Sequence, residues 1–155
     1  MSIEIVKNYF KSNNIDKEIL EFPVSSATVE LAAQAAGVEP ARIAKTLSFY
    51  TKEKDAAILI VTAGDMKIDN SKFKHFFGMK AKMLAYDDVE QMTGHAVGGV
   101  CPFGNPAHAQ VYLDASLKRF DTVFPAAGSS NSAVELTCDE LEQYSGAKEW
   151  IDVCK

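Results

Sequence analysis

Apolar positions recur at helical spacing near the start of the chain. Ile3, Val6, Tyr9 and Phe10 share one stripe and predict an amphipathic helix over residues 3–13. Residues 18–23 read as a short strand. A second helix follows over residues 28–36, with Thr28 as N-cap, Glu30 in the first turn and Gly37 at the C′ position. Pro40 suits the first position of a short third helix carrying Ala41, Ile43 and Ala44 up to Lys45. Residues 47–51 and 56–63 form a strand pair across the polar Lys52-Glu53-Lys54-Asp55 turn. Asp69 or Asn70 caps a helix that runs through Phe77 and ends at Gly78; residues 81–86 read as a strand, and Asp87 and Asp88 open a helix stopped by Gly94. Strands are expected over residues 111–114, 122–125 and 133–137. Thr137 and Glu140 have capping-box spacing ahead of a helix over residues 139–144, which Gly146 stops, and residues 149–153 read as a final strand.

Helices and short strands alternate irregularly, with no linker, repeat or low-complexity segment. The 155 residues therefore read as one domain, residues 1–155, of the α+β class. A mixed, partly closed, β-barrel-like sheet flanked by helices fits this order better than a doubly wound parallel sheet.

One stretch departs from every periodic pattern. Gly94-His95-Ala96-Val97-Gly98-Gly99-Val100-Cys101-Pro102-Phe103-Gly104 puts four glycines and a proline into eleven residues. It is a loop, not a helix or a central strand. A dinucleotide fingerprint would turn straight into a helix, which Pro102, Gly104 and Pro106 prevent, and the Gly-Lys-Ser/Thr ending of a triphosphate loop is absent. Two readings remain: backbone N–H groups aimed at a substrate, as in an oxyanion hole, or a crossover that solves a packing problem. Lys45 stands in an apolar neighbourhood, either facing a helix dipole or positioned for chemistry. Cys101 has His95 and His108 near it in sequence, so a Cys–His nucleophile is weighed against a small apolar filler; the three do not match a familiar metal spacing. Asp87-Asp88 and Asp139-Glu140 fit helix starts, and Ala127-Gly128-Ser129-Ser130-Asn131-Ser132 is either a plain hairpin connection or a wall of the same pocket.

The net charge of −5 argues against a broad basic face for DNA, while Lys45, Lys72, Lys74 and Lys80 remain candidates for a local phosphate-binding cluster. No apolar run approaches the roughly 20 residues of a membrane span. Met1-Ser2-Ile3-Glu4 lacks the basic region and apolar core of a secretion signal. Cys101, Cys138 and Cys154 are odd in number and far apart, so a reduced, cytoplasmic compartment is expected.

Thr28-Val29-Glu30-Leu31-Ala32-Ala33, then Gly37-Val38, then Arg42-Ile43-Ala44-Lys45-Thr46-Leu47 resembles the opening half of the YbaK family. This is the aminoacyl-tRNA deacylase domain related to the editing insert of bacterial prolyl-tRNA synthetases. The glycine-proline loop, Val111-Tyr112-Leu113-Asp114, and Ala127-Gly128 followed by Val134-Glu135-Leu136 resemble its second half, so the likeness runs over residues 23–141. The resemblance implies that family's fold and hydrolysis, in trans, of mischarged tRNA, on a tRNA(Pro)-type acceptor; the loop and its candidate walls, Val100, Pro102, Ser129 and Ser130, offer no charged group and predict a small amino acid on that tRNA. The resemblance implies Lys45, Gly98 and Gly99 as catalytic positions, and Thr28, Thr46, Val100, Cys101, Pro102, Phe103, Gly104, Gly128 and Ser129 as substrate-binding ones. Neither cofactor nor metal is implied. The expected partners are the acceptor end of aminoacyl-tRNA and, as a candidate, prolyl-tRNA synthetase, with no DNA and no membrane. Where several members carry basic residues after the Ala-Gly pair, this chain has Ser129-Ser130-Asn131-Ser132. The readings held beside this one are a non-catalytic module binding an aminoacyl-tRNA 3′ end or a nucleotide, and a cysteine hydrolase using Cys101.

Overall fold

The computed structural model describes residues 2–155; Met1, with which the reading of the N-terminus begins, lies outside the described residues. The helices are α1 (Ser2–Ser12), α2 (Val29–Ala36), α3 (Asn70–Phe77), α4 (Tyr86–Thr93) and α5 (Cys138–Ser145). The strands are β1 (Leu20–Glu21), β2 (Ile43–Tyr50), β3 (Ala57–Ala63), β4 (Gln110–Asp114), β5 (Thr122–Pro125), β6 (Ser132–Ala133), β7 (Leu136–Thr137) and β8 (Trp150–Ile151).

Strand β3 organises the molecule because both of its faces are covered. All seven of its residues are buried. By the two-residue period of a strand, Leu59 and Val61 point to one side, where Val6, Phe10, Phe103 and Leu113 pack; Ile58 and Ile60 point to the other, against Phe49 and Phe73. Each such fully buried side chain contributes about 1.5–3 kcal/mol of transfer free energy. Around β3 a six-stranded sheet runs in the order β7-β5-β2-β3-β4-β8, while β1 and β6 pair separately. Strand β2 is antiparallel to β3 and parallel to β5; β3–β4 and β4–β8 are parallel, and β5–β7 is antiparallel. The sheet is thus mixed and curls into a half-barrel flanked by helices, the α+β architecture that the sequence predicts.

Local signals hold where they are self-contained. The Thr28 hydroxyl accepts the Leu31 N–H, the Asp69 carboxylate caps α3, and Thr137 with Glu140 closes a full capping box. Three expectations change. The helix begun at Pro40 is a single 3-10 turn, Pro40–Arg42, and Lys45 lies on β2 instead, because pairing with β3 on one side and β5 on the other overrides the alanine-rich helical pattern. Residues 81–86 make only one isolated bridge, Phe49 with Met83, before α4 begins at Tyr86. The expected strand over residues 133–137 divides into β6 and β7, whose partners β1 and β5 belong to different sheets.

Candidate functional site

The site starts as a gap beside β2. Its first residues, Ile43 and Ala44, pair with β5; further on, Tyr50 N–H donates to Lys82 O at 2.9 Å and Leu84 N–H to Ser48 O at 3.1 Å. Between these two neighbours none of the described residues pairs with this edge at Thr46. By strand alternation the Thr46 N–H and C=O face the same way as those of Ser48 and Tyr50, so both open into the gap. The Thr46 Oγ1 is buried and has no hydrogen-bond partner among the described residues. A cavity of about 280 Å³ occupies the gap. Its walls are small or apolar: Ala44, Ser48 and Thr46 of β2, Ala32 of α2, Phe124 of β5 and Ser132 of β6. Met83 and Val97, both at least half exposed, form an apolar rim.

Lys45 lines this cavity from β2. Its Nζ donates to Met66 O and, at the long limit of 3.5 Å, to Gly64 O. Strand β3 ends just before these residues, and Met66 N–H donates back to Ala63 O at 3.1 Å, closing a turn. The turn needs glycine at 64: a Cβ there would lie 2.2 Å from Pro40 O. An ammonium has three donors, so two carbonyls fix its direction and leave one uncommitted. The sequence reading missed both carbonyls, and Gly64 just after an apolar strand is the signal that marks the turn.

The glycine loop divides in two. Gly98 and Val100 line the cavity, and their amides donate to none of the described residues. Gly98 adopts φ +94°, which favours glycine. The Gly99 N–H is already used, donating to Ala96 O at 2.9 Å, and a Cβ on Gly99 would lie 2.7 Å from the Gly128 carbonyl. Gly99 and Gly128 therefore let the loop pack backbone against backbone. Ser129 supports the same wall from behind, its Oγ 2.7 Å from Ser132 Oγ. Past Val100 the chain dives inward: Cys101, Pro102 and Phe103 are buried, Phe103 packs edge-on against Phe10 at 5.3 Å, and Gly104 approaches α1 too closely for a Cβ, at 2.8 Å from Ile5. Of the sequence-predicted positions, the structure brings Thr28, Lys45, Thr46, Gly98 and Val100 to the cavity. Gly99, Gly128 and Ser129 stand behind its wall, and Cys101, Pro102, Phe103 and Gly104 do not reach it.

Cys101 does meet His95, with Sγ 3.4 Å from Nε2. The same Nε2 lies 2.7 Å from Phe103 O, a carbonyl that can only accept, so Nε2 carries the proton and cannot take one from the thiol. Burial pushes the Cys101 thiol up to about 12 and holds the imidazole of His95 below its ordinary value, the Phe103 hydrogen bond opposing the latter. This pair is a buried brace for the loop. No group of three or more acidic, histidine or cysteine side chains is placed to hold a metal among the described residues. No described helix is long and apolar enough to cross a membrane.

Comparison with known proteins identifies the family. A family model described as an aminoacyl-tRNA editing domain matches residues 24–144. The protein YwhH of Bacillus subtilis is 56% identical over 155 residues, covering 100% of this chain and 98% of YwhH. A proline--tRNA ligase of Bacillus cytotoxicus is 29% identical over 113 residues, which are 71% of this chain and 19% of the ligase. The chain thus corresponds to a minor part of that ligase. A crystal structure of a candidate trans-editing enzyme for prolyl tRNA synthetase superposes with a TM-score of 0.89 at 28% identity, covering 99% of this chain and 97% of the other. The matched residues carry the β2 gap, Lys45 and the glycine loop, and they place the chain in the aminoacyl-tRNA editing domain family.

Proposed function

We propose that this chain is a trans-acting deacylase that hydrolyses the ester of tRNA mischarged with a small amino acid, on a tRNA(Pro)-type acceptor. The observation that carries the reading is a cavity of about 280 Å³ lined by Lys45, whose ammonium is directed by two carbonyls, and by Thr46, Gly98 and Val100, whose amides are uncommitted. The need for such a site is physical. A synthetase pocket discriminates a missing methylene by only about 1–3 kcal/mol, so a second hydrolytic site raises fidelity. An aminoacyl ester is already activated, and the neighbouring ribose hydroxyl helps position water, so the protein's task is to hold the ester and stabilise the oxyanion. Each well-aimed donor is worth about 3 kcal/mol in such a site. Lys45 supplies a compact charge for the carbonyl or terminal phosphate. The walls are small or apolar, and apart from Lys45 none of the described residues lining them carries a charge to pair with a large polar side chain. Action in trans is supported by YwhH and the trans-editing structure, both of which this chain covers almost fully.

The test is a deacylation panel over tRNAs charged with alanine, cysteine, serine, proline, lysine and glutamate. Loss of the small esters with lysyl- and glutamyl-tRNA left intact is expected. Binding without hydrolysis of any ester would replace this reading with that of a non-catalytic acceptor-end module. Preferential hydrolysis of the charged side chains would overturn the size argument.

A further inference from the structure

The turn that carries the Lys45 carbonyls is held from outside the cavity. Asp65 sits between Gly64 and Met66, and its two carboxylate oxygens receive the two Nη groups of Arg119 at 2.6 and 3.1 Å. Arg119 is itself fixed, its Nε donating to Ser116 O at 2.8 Å. Ser116 accepts the Ala63 N–H on its hydroxyl at 3.2 Å and donates its own N–H to Asp114 at 2.9 Å. Asp114 is buried, and its other oxygen takes the Val153 N–H at 2.9 Å. A continuous set of hydrogen bonds therefore runs from a core carboxylate to the turn that aims Lys45.

This bridge adds little to stability. The Asp65 and Arg119 side chains are 41% and 44% exposed, a setting in which ion pairs contribute at most about 1 kcal/mol. Its consequence is for charge. The guanidinium beside Asp65 holds the carboxyl below its usual range, and the Lys45 charge adds to the effect, so carboxylate and ammonium already sense each other. Lys45 rests on the carbonyls that flank Asp65 in sequence. A carboxylate released from Arg119 would meet that ammonium and pair with it.

We propose that Arg119 is a positioning residue for Lys45: its bidentate grip keeps the Asp65 carboxylate off the ammonium and leaves the ammonium free for substrate. The proposal rests on the deacylase reading, and two readouts separate them. Arg119→Gln, Asp65→Asn and the double variant are assayed on the ester that the wild type hydrolyses fastest, with kcat and KM resolved. In parallel, the Lys45 side-chain ammonium is followed by NMR in protein labelled on lysine nitrogen, assigned by its loss in Lys45→Arg. Arg119→Gln should lower kcat at least about tenfold, with KM changed less, and should shift the Lys45 signal. Asp65→Asn combined with Arg119→Gln should recover most of kcat and return the signal toward its wild-type position. Wild-type kcat in Arg119→Gln would overturn the proposal, as would a double variant no better than the single one, the result expected of a bridge that only braces the turn. Should the wild type hydrolyse no ester, the deacylase reading fails and the NMR signal alone decides: a shift reversed in the double variant upholds the grip on Asp65, and an unmoved signal refutes it.

Discussion

Lys45 unites three features in one residue: a strand that fixes its backbone, two carbonyls that fix its head, and a place in the lining of the cavity. Lys45→Ala should therefore cut deacylation at least about 100-fold while leaving the fold intact, measured as single-turnover hydrolysis beside circular dichroism. Lys45→Arg should rescue poorly, because a planar fork does not sit on the two carbonyls as a compact ammonium does. A folded Lys45→Ala protein with near wild-type turnover would remove Lys45 from the mechanism. Cys101 is the counterpart. Its thiol is buried, driven up to about 12, and faces a histidine nitrogen that already carries a proton. Cys101→Ser should keep most of the activity, and an acyl group trapped on Cys101 would contradict this. The sequence made Cys101 and His95 visible as a pair; only the Phe103 carbonyl on Nε2 showed that the pair cannot act as nucleophile and base.

Two glycines with opposite surroundings test how the elements build the site. Gly37 caps α2 at φ +71°, and a methyl added there would meet nothing within 4 Å, so Gly37→Ala should cost about 1–2 kcal/mol from backbone conformation alone and leave turnover unchanged. Gly99 has no unusual φ, yet its Cβ would strike the Gly128 backbone at 2.7 Å. Gly99→Ala should push the Gly98–Val100 amides out of line and lower kcat at least about tenfold, even where urea unfolding gives a loss similar to that of Gly37→Ala. Equal turnover in the two variants would mean that the loop's packing against Gly128 does not shape the site. Caps such as Gly37 were legible because a helix end is decided within one turn of chain. The division of the glycine loop into a cavity half and a core half was not, since it depends on Gly128 and Ile5, remote in sequence.

For the whole molecule, pH and salt report on different parts. Burial holds His95 below its ordinary value of 6.5, so in that range the unfolded chain binds the proton that the folded one refuses. Stability should then fall as pH drops below about 6.5, by at most about 1.4 kcal/mol per pH unit for this one group, before the carboxylates Asp65, Asp69 and Glu140, also held low, add their own loss below about pH 4–5. Urea unfolding at pH 7, 6 and 5 measures it; a flat profile above pH 5 would show that His95 is not buried in its neutral form. Binding of uncharged tRNA should be modest and salt-sensitive, each phosphate contact to the single-stranded end contributing about −0.7 to the slope of log affinity against log salt. Lys72 is a poor contributor to that slope, being engaged by Asp152 and the Cys154 carbonyl. The sequence by itself determined the helix caps, the apolar strand β3, the mixed α+β class and the family motifs around Lys45 and the glycine loop, because each is written in neighbours a few residues apart. Only the tertiary structure decided that Lys45 stands on a strand, that Thr46 faces an unpaired edge, and that Arg119 reaches Asp65. The first two arise from β2 pairing with β3, β5 and residues 82–84 at once, and the third from β3 and β4 running parallel side by side; no local preference encodes where such partners meet or leave a gap.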